Sequence, residues 1–132
     1  MTQINLLLVD DDDFIRKVYG SAFAEQGFNV EYAVDGEQAL IKIAEKLPDF
    51  VLLDLIMPKK NGFEVLAELQ KLGTIKQLPV MIFTKLAQKE DRDRALSLGA
   101  VDYLIKDQVT IETMINRVRQ ILAARVQSSG GS

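Results

Sequence analysis

Carboxylate, hydroxyl and ammonium groups follow four of the short apolar runs in this sequence. Asp10 to Asp13 follow the first run, Asp54 the third, Thr84 the fourth and Lys106 the fifth. Two carboxylates about 5 Å apart repel by roughly 3 kcal/mol at an effective dielectric constant of about 20, so a cluster of them needs a cation. Mg²⁺ suits such a cluster, because it prefers hard oxygen ligands and commonly keeps waters and a phosphate. A lysine and a hydroxyl would bind the remaining phosphoryl oxygens, which indicates phosphoryl transfer to a carboxylate.

The composition excludes several other kinds of chemistry. The 132 residues contain neither Cys nor His, which excludes disulfide scaffolds, thiolate zinc sites, thiol catalysis and imidazole bases. A net charge of −3 argues against nonspecific binding of nucleic acid. The length fits a single domain. The apolar run Leu6–Val9 is too short for a signal peptide or a membrane span, so we expect a cytoplasmic protein.

Short apolar runs alternate with segments of helical spacing along the chain. The runs predict strands at Ile4–Val9, Phe28–Ala33, Phe50–Leu53, Val80–Phe83 and Val101–Ile105. The segments between and after them predict helices at 13–26, 37–46, 63–72, 88–98 and 111–125. This alternation predicts a parallel sheet with helices on both faces, whose functional crevice lies beyond the carboxyl ends of the strands.

The predicted strands differ in how continuously apolar they are. The first, third and fourth are near-continuous apolar runs, which is typical of strands covered on both faces. The second alternates apolar and polar residues and is predicted to be an edge strand. If the other four strands are neighbours, the polar groups at their ends meet on one rim. The domain is predicted to cover residues 1–125, followed by a flexible tail at 126–132, either a linker or an expression remnant.

Four segments resemble the receiver domain of response regulators in two-component signalling, and in particular the chemotaxis-regulator type. They are LLLVDDD at 6–12, VLLDLIMPKKNG at 51–62, IFT at 82–84 and GAVDYLIK at 99–106. The resemblance covers about residues 4–122, and its most specific segment is D-x-x-M-P-x-x-x-G. It implies a flavodoxin-like α/β fold of five parallel strands in the order 2-1-3-4-5. It also implies that the protein is a phosphoacceptor and not an enzyme. The only reactions expected of it are Mg²⁺-dependent autophosphorylation from a phosphodonor and slow autodephosphorylation.

The resemblance implies roles for individual residues as well. Asp54 is the expected phosphoacceptor, while Lys106 and Thr84 are expected to hold the phosphoryl group. Tyr103 would turn inward behind Thr84 as a switch. The expected ligands of Mg²⁺, or of Mn²⁺ in its place, are Asp11, Asp54, the backbone carbonyl of Ile56 and, through a water, Asp10.

The implied partners are a sensor histidine kinase or a phosphotransfer protein. Phosphorylation would remodel the face formed by the fourth helix, fifth strand and fifth helix, which would contact an output domain or a second copy. We expect no contact of this domain with nucleic acid or membrane. In the first helix, the stripe Phe14, Val18 and Ala22 predicts the buried face. Beside it, Ile15 and Tyr19 predict an exposed kinase-docking surface.

Two positions depart from the receiver pattern. Asp107 follows Lys106 where the family has a proline after a cis bond, and a cis bond before another residue costs about 2.5–4 kcal/mol. Lys85 follows Thr84 where a small residue is usual. In receivers, the residues two positions after the phosphoacceptor and two after the threonine flank the approach of the hydrolytic water. By this resemblance the two positions here are Ile56 and Leu86, and because neither side chain can orient a water, they predict a long-lived phosphorylated state.

Two other classes of protein stay open at this point. Asp10-x-Asp12 after a strand is similar to the motif of haloacid-dehalogenase-type phosphatases, although neither a second acidic pair nor a cap insertion is evident. A degenerate receiver that only binds partners would share the fold, but it should lack members of the acidic set. A persistent Mg²⁺-dependent aspartyl phosphate would exclude the binding-only class, and turnover of phosphate esters would favour the phosphatase.

Overall fold

Five strands and five α-helices alternate in the computed structural model, which describes residues 3–130. The strands are β1 (Asn5–Val9), β2 (Asn29–Ala33), β3 (Phe50–Leu53), β4 (Val80–Thr84) and β5 (Asp102–Ile105). The helices are α1 (Asp13–Glu25), α2 (Gly36–Glu45), α3 (Gly62–Leu72), α4 (Lys89–Ser97) and α5 (Ile111–Gly130). All ten predicted elements are confirmed. The predicted domain end at residue 125 lies within α5, and residues 131 and 132 of the predicted tail lie outside the described residues.

The strands form one parallel sheet in the order β2-β1-β3-β4-β5, which confirms the flavodoxin-like α/β fold. β2 lies at one edge, as its alternating sequence predicts. Because successive side chains of a strand point to opposite faces, the central strands contribute side chains to two separate cores, one on each face of the sheet. Leu7 and Val9 of β1 pack with α2, α3 and α4. Leu6 and Leu8 pack on the other face with α1 and α5.

The buried face of α1 is offset by one residue from the one that the sequence predicts. Phe14 is 66% exposed, whereas Ile15 and Phe23 are buried. Tyr19 packs edge-on against Phe83 of β4, with ring centroids 4.9 Å apart. The two stripes have the same helical spacing, but Phe23 extends the stripe of Ile15 and Tyr19 and adds a large apolar group to it. The predicted docking surface at Ile15 and Tyr19 is therefore wrong, because these side chains belong to the core.

Local hydrogen bonds fix where the helices begin. Asn61 and Glu64 form a reciprocal capping box at the start of α3, with N···O distances of 2.9 and 3.0 Å. Thr110 accepts from the Thr113 N–H at the start of α5. Both caps agree with the sequence, and the first one anchors the loop that leaves β3. No helix in the described range is long and apolar enough to span a membrane.

Candidate phosphoacceptor site

The polar groups predicted at the strand ends meet on one edge of the sheet. Asp10 and Asp54 come directly after β1 and β3, which pair in register up to Val9 and Leu53. The Asp54 N–H donates to the Val9 carbonyl at 3.1 Å, so the two chains remain paired one residue beyond the strands. The sheet itself therefore places the two carboxylates side by side. Both are buried, with exposed fractions of 1% for Asp10 and 5% for Asp54.

Lys106 supplies the positive charge at this edge. Its Nζ lies 2.7 Å from Asp10 Oδ2 and 3.1 Å from Asp54 Oδ2, so one ammonium group bridges both carboxylates. Burial lowers the pKa of Lys106, but the hydrogen bond to Asp10 and the two negative charges outweigh it and hold the pKa above its ordinary value. Burial also raises the pKa of Asp10, against the opposing effect of Lys106. The lysine is thus a permanent cation between two crowded carboxylates.

Asp11 completes a cluster of three carboxylates. One carboxylate oxygen from each of Asp10, Asp11 and Asp54 lies within 4.8 Å of the others, and Asp11 is exposed to solvent. The Ile56 N–H donates to Asp54 Oδ1 at 3.3 Å, which places the Ile56 backbone beside the cluster. This set of hard oxygen donors, open on the Asp11 side, fits Mg²⁺.

Thr84 and Tyr103 lie on the other side of Asp54, towards β5. Thr84 is fully buried at the end of β4, and its Oγ1 lies 3.5 Å from the Leu86 nitrogen. Tyr103 is 5% exposed, and its hydroxyl donates to the Leu86 carbonyl at 2.8 Å. Burial, with smaller effects from Asp91 and Asp54, raises the pKa of Tyr103 to about 12. The ring therefore occupies the inward position and remains a hydrogen-bond donor.

The loop between β3 and α3 passes very close to the phosphoacceptor candidate. A Cβ atom at Gly62 would lie 2.3 Å from the Asp54 carbonyl oxygen, so only glycine fits there. Lys59 in the same loop has φ 67°, in the left-handed region that non-glycine residues rarely adopt. These two positions give a physical reason for the glycine of the D-x-x-M-P-x-x-x-G segment and for the sharp turn before it.

Four further positions complete the surroundings of the site. The Lys106–Asp107 peptide bond is trans, in keeping with the cost of a cis bond before a non-proline residue. The Ile56 side chain is about half exposed. Leu86 is partly buried against the core that lies between the sheet and helices α2, α3 and α4. The Lys85 side chain is exposed.

One contact near the cluster was not predicted. Arg16 of α1 donates from Nη1 to the Asp10 carbonyl at 2.7 Å and from Nη2 to the Asp13 carboxylate. The sequence places Arg16 one turn after the acidic run, on the helix that follows it. That spacing indicates that Arg16 lies near the carboxylate cluster, but it does not indicate which backbone group its long side chain reaches.

The strand order and the acid–lysine edge together define the CheY-like class of α/β proteins. Residues 6–119 match the family model described as the response regulator receiver domain. This chain therefore belongs to the response regulator receiver domain family of two-component systems. The match favours a receiver over a haloacid-dehalogenase-type phosphatase.

Individual relatives agree with the family match. The regulatory protein AtoC of Escherichia coli is 39% identical over 92% of this chain and 26% of its own length. The receiver domain of Francisella response regulator 1452 is 32% identical, with a TM-score of 0.85 over 94% of this chain and 99% of that one. CheY in a CheX–CheY–BeF3–Mg complex from Borrelia burgdorferi is similar at 30% identity, with a TM-score of 0.82 over 89% of this chain and 88% of that one. The chain spans between 15% and 54% of the length of three curated relatives.

Proposed function

We propose that this receiver domain is a phosphorylation switch in which Asp54 accepts a phosphoryl group from a histidine kinase or a phosphotransfer protein. A carboxylate oxygen of Asp54 attacks phosphorus, the new O–P bond forms, and the N–P bond to the donor imidazole breaks. The observation that carries the proposal is the position of Asp54, buried beside Lys106 and within the three-carboxylate cluster. The imidazole comes from the partner, because this chain has no histidine.

The carboxylate cluster is the proposed Mg²⁺ site, and Mn²⁺ offers the same coordination chemistry. The ligands would be Asp11, Asp54 and the carbonyl of Ile56, with Asp10 acting through a water. The bound ion would neutralise charge on the transferring phosphoryl group. The Borrelia relative was solved with BeF3 and magnesium, which supports the assignment by similarity.

Lys106 and Thr84 are proposed to stabilise the phosphorylated state. When Asp54 carries a phosphoryl group, the ammonium of Lys106 pairs with its oxygens and the hydroxyl of Thr84 donates to one of them. Tyr103 already lies inward without a phosphoryl group, so phosphorylation would stabilise this position further and not create it. The face of α4, β5 and α5 would then change its affinity for a partner. The proposed partner on that face is an output domain or a second receiver.

Phosphorylation by acetyl phosphate tests the proposal without the kinase. The parent should gain one phosphoryl group in Mg²⁺ and none in excess EDTA, whereas Asp54→Asn should gain none while remaining folded. Asp93→Asn is the matched control, since it removes an exposed aspartate that forms a surface ion pair with Lys89. A parent that stays unmodified in Mg²⁺ would indicate a receiver that only binds partners. Equal labelling of Asp54→Asn and the parent would contradict the assignment of Asp54.

A further inference from the structure

We propose that Arg16 is a positioning residue for the metal ligand Asp11. Its guanidinium group fixes the peptide bond between Asp10 and Asp11, and this peptide directs the Asp11 carboxylate towards the cluster. The inference rests on the proposed function, because it assumes that the cluster binds Mg²⁺. It adds a residue on α1 to a site otherwise built from strand ends.

The geometry places Arg16 on the backbone next to Asp11. Asp10 lies one residue beyond β1, so its carbonyl is outside the sheet ladder, and Arg16 Nη1 donates to it at 2.7 Å. The other end of the guanidinium contacts the Asp13 carboxylate. The Arg16 side chain is only 17% exposed, so it is held over the loop that joins β1 to α1.

Asp11 depends on this backbone more than its neighbours do. Its carboxylate makes neither a hydrogen bond nor an ion pair with any other residue in the range 3–126. Asp12 is fixed because its carboxylate caps α1, and its own N–H donates to Asp10 Oδ1 at 3.0 Å. The peptide on the Asp12 side of Asp11 is thereby held by the Asp10 carboxylate. The peptide on the Asp10 side is held by Arg16.

The charge and the geometry of Arg16 predict opposite effects on metal binding. As a cation close to the cluster, Arg16 repels Mg²⁺, so its removal would strengthen binding if charge alone mattered. As a planar fork with two separate donors, it holds the Asp10 carbonyl and Asp13 at once, which a single ammonium group cannot reproduce. If positioning dominates, removal of the fork weakens binding. Groups that orient metal ligands in this way typically change metal affinity by about 10–100-fold when they are mutated.

Titration of Mg²⁺ in the absence of any phosphodonor tests the inference. The affinity is read from the amide NMR shifts of Asp11 and Ile56 in isotope-labelled protein. Arg16→Met should weaken Mg²⁺ binding by about tenfold or more. Lys17→Met is the matched control, because it removes the same charge from an exposed neighbour on α1 and should bind Mg²⁺ at least as tightly as the parent. Arg16→Lys keeps the charge without the fork and should also bind more weakly than the parent.

Each result supports or overturns the role of Arg16. Unchanged or tighter binding in Arg16→Met would overturn it. Binding in Arg16→Lys as tight as in the parent would show that a single ammonium donor suffices, which would overturn the proposed need for two separate donors. If Arg16→Met fails to fold, as judged from its amide spectrum, Arg16→Lys decides by the same comparison with the parent. If the parent binds Mg²⁺ and the Arg16 variants bind it with the same affinity, the role of Arg16 is rejected while the metal site stands. A parent that does not bind Mg²⁺ would reject the metal site and the inference with it.

Discussion

Replacement of Lys106 by methionine should strongly destabilise the domain at neutral pH. Methionine is similar in length but leaves Asp10 and Asp54 buried and adjacent without a counter-ion. At an effective dielectric constant of about 20, a pair at 2.7 Å is attracted by ~6 kcal/mol before the cost of desolvation. The net loss on removing one member of a buried pair is about 3–5 kcal/mol. A domain typically has only about 5–15 kcal/mol of stability in total, so the effect should be large.

The loss should depend on pH in a defined direction. The pKa of Lys106 is raised, so its contribution is fully present below its ordinary pKa and is lost only as the pH rises through the higher value in the folded state. It therefore operates throughout the neutral range. In Lys106→Met, the pKa of Asp10, already raised by burial, should rise further. Stability is then lost as the pH rises through that value, so the variant should be closest to the parent in acid.

Urea unfolding at about pH 8 and about pH 4.5, with and without Mg²⁺, measures these effects. At the higher pH, Lys106→Met should lose several kcal/mol of unfolding free energy relative to the parent, and Mg²⁺ should restore part of it. Lys89→Met is the control, because it breaks an exposed pair with Asp93 and should cost less than about 1 kcal/mol. Equal losses in the two variants, or a loss that does not change with pH, would refute the electrostatic account of the site.

Three other changes should have defined outcomes. Asp11→Ala should raise the Mg²⁺ concentration needed for half-maximal phosphorylation by about tenfold or more, since a ligand carboxylate is removed; an unchanged Mg²⁺ requirement would place the ion elsewhere. In the double variant Ile56→Asn with Leu86→Glu, the aspartyl phosphate should hydrolyse about tenfold faster than in the parent, which corresponds to a barrier lower by about 1.4 kcal/mol. A chase assay measures the rate, and a rate no faster than that of the parent would contradict the exclusion of water by Ile56 and Leu86. Lys59→Asn should stabilise the fold by about 0.5–1 kcal/mol in urea unfolding, because asparagine tolerates a positive φ, and the control Lys60→Asn should not.

The residues at the strand ends were predictable for a simple reason. In a parallel sheet, the residues that follow neighbouring strands share one edge, so the runs ending at Asp10, Asp54 and Lys106 already imply a common site. The helix and strand bounds also follow from periodicity and from local signals such as the Asn61–Glu64 capping box.

The contacts that the sequence did not reveal are tertiary ones. The stripes through Phe14 and through Ile15 have the same spacing along α1, and packing against Phe83 and the neighbouring core decides which one is buried. Arg16 likewise has a long side chain whose partner depends on how the loop before α1 turns. Periodicity carries no information on either choice.

Mapping the phosphorylated residue tests the central claim most directly. The protein is incubated with acetyl phosphate and Mg²⁺, the acyl phosphate is reduced with borohydride, and the peptides are analysed by mass spectrometry. The modification should lie on Asp54 and on no other residue in appreciable yield, and it should be absent when Mg²⁺ is removed. Modification mainly at Asp10 or Asp11, or a site that forms equally well without Mg²⁺, would contradict the account.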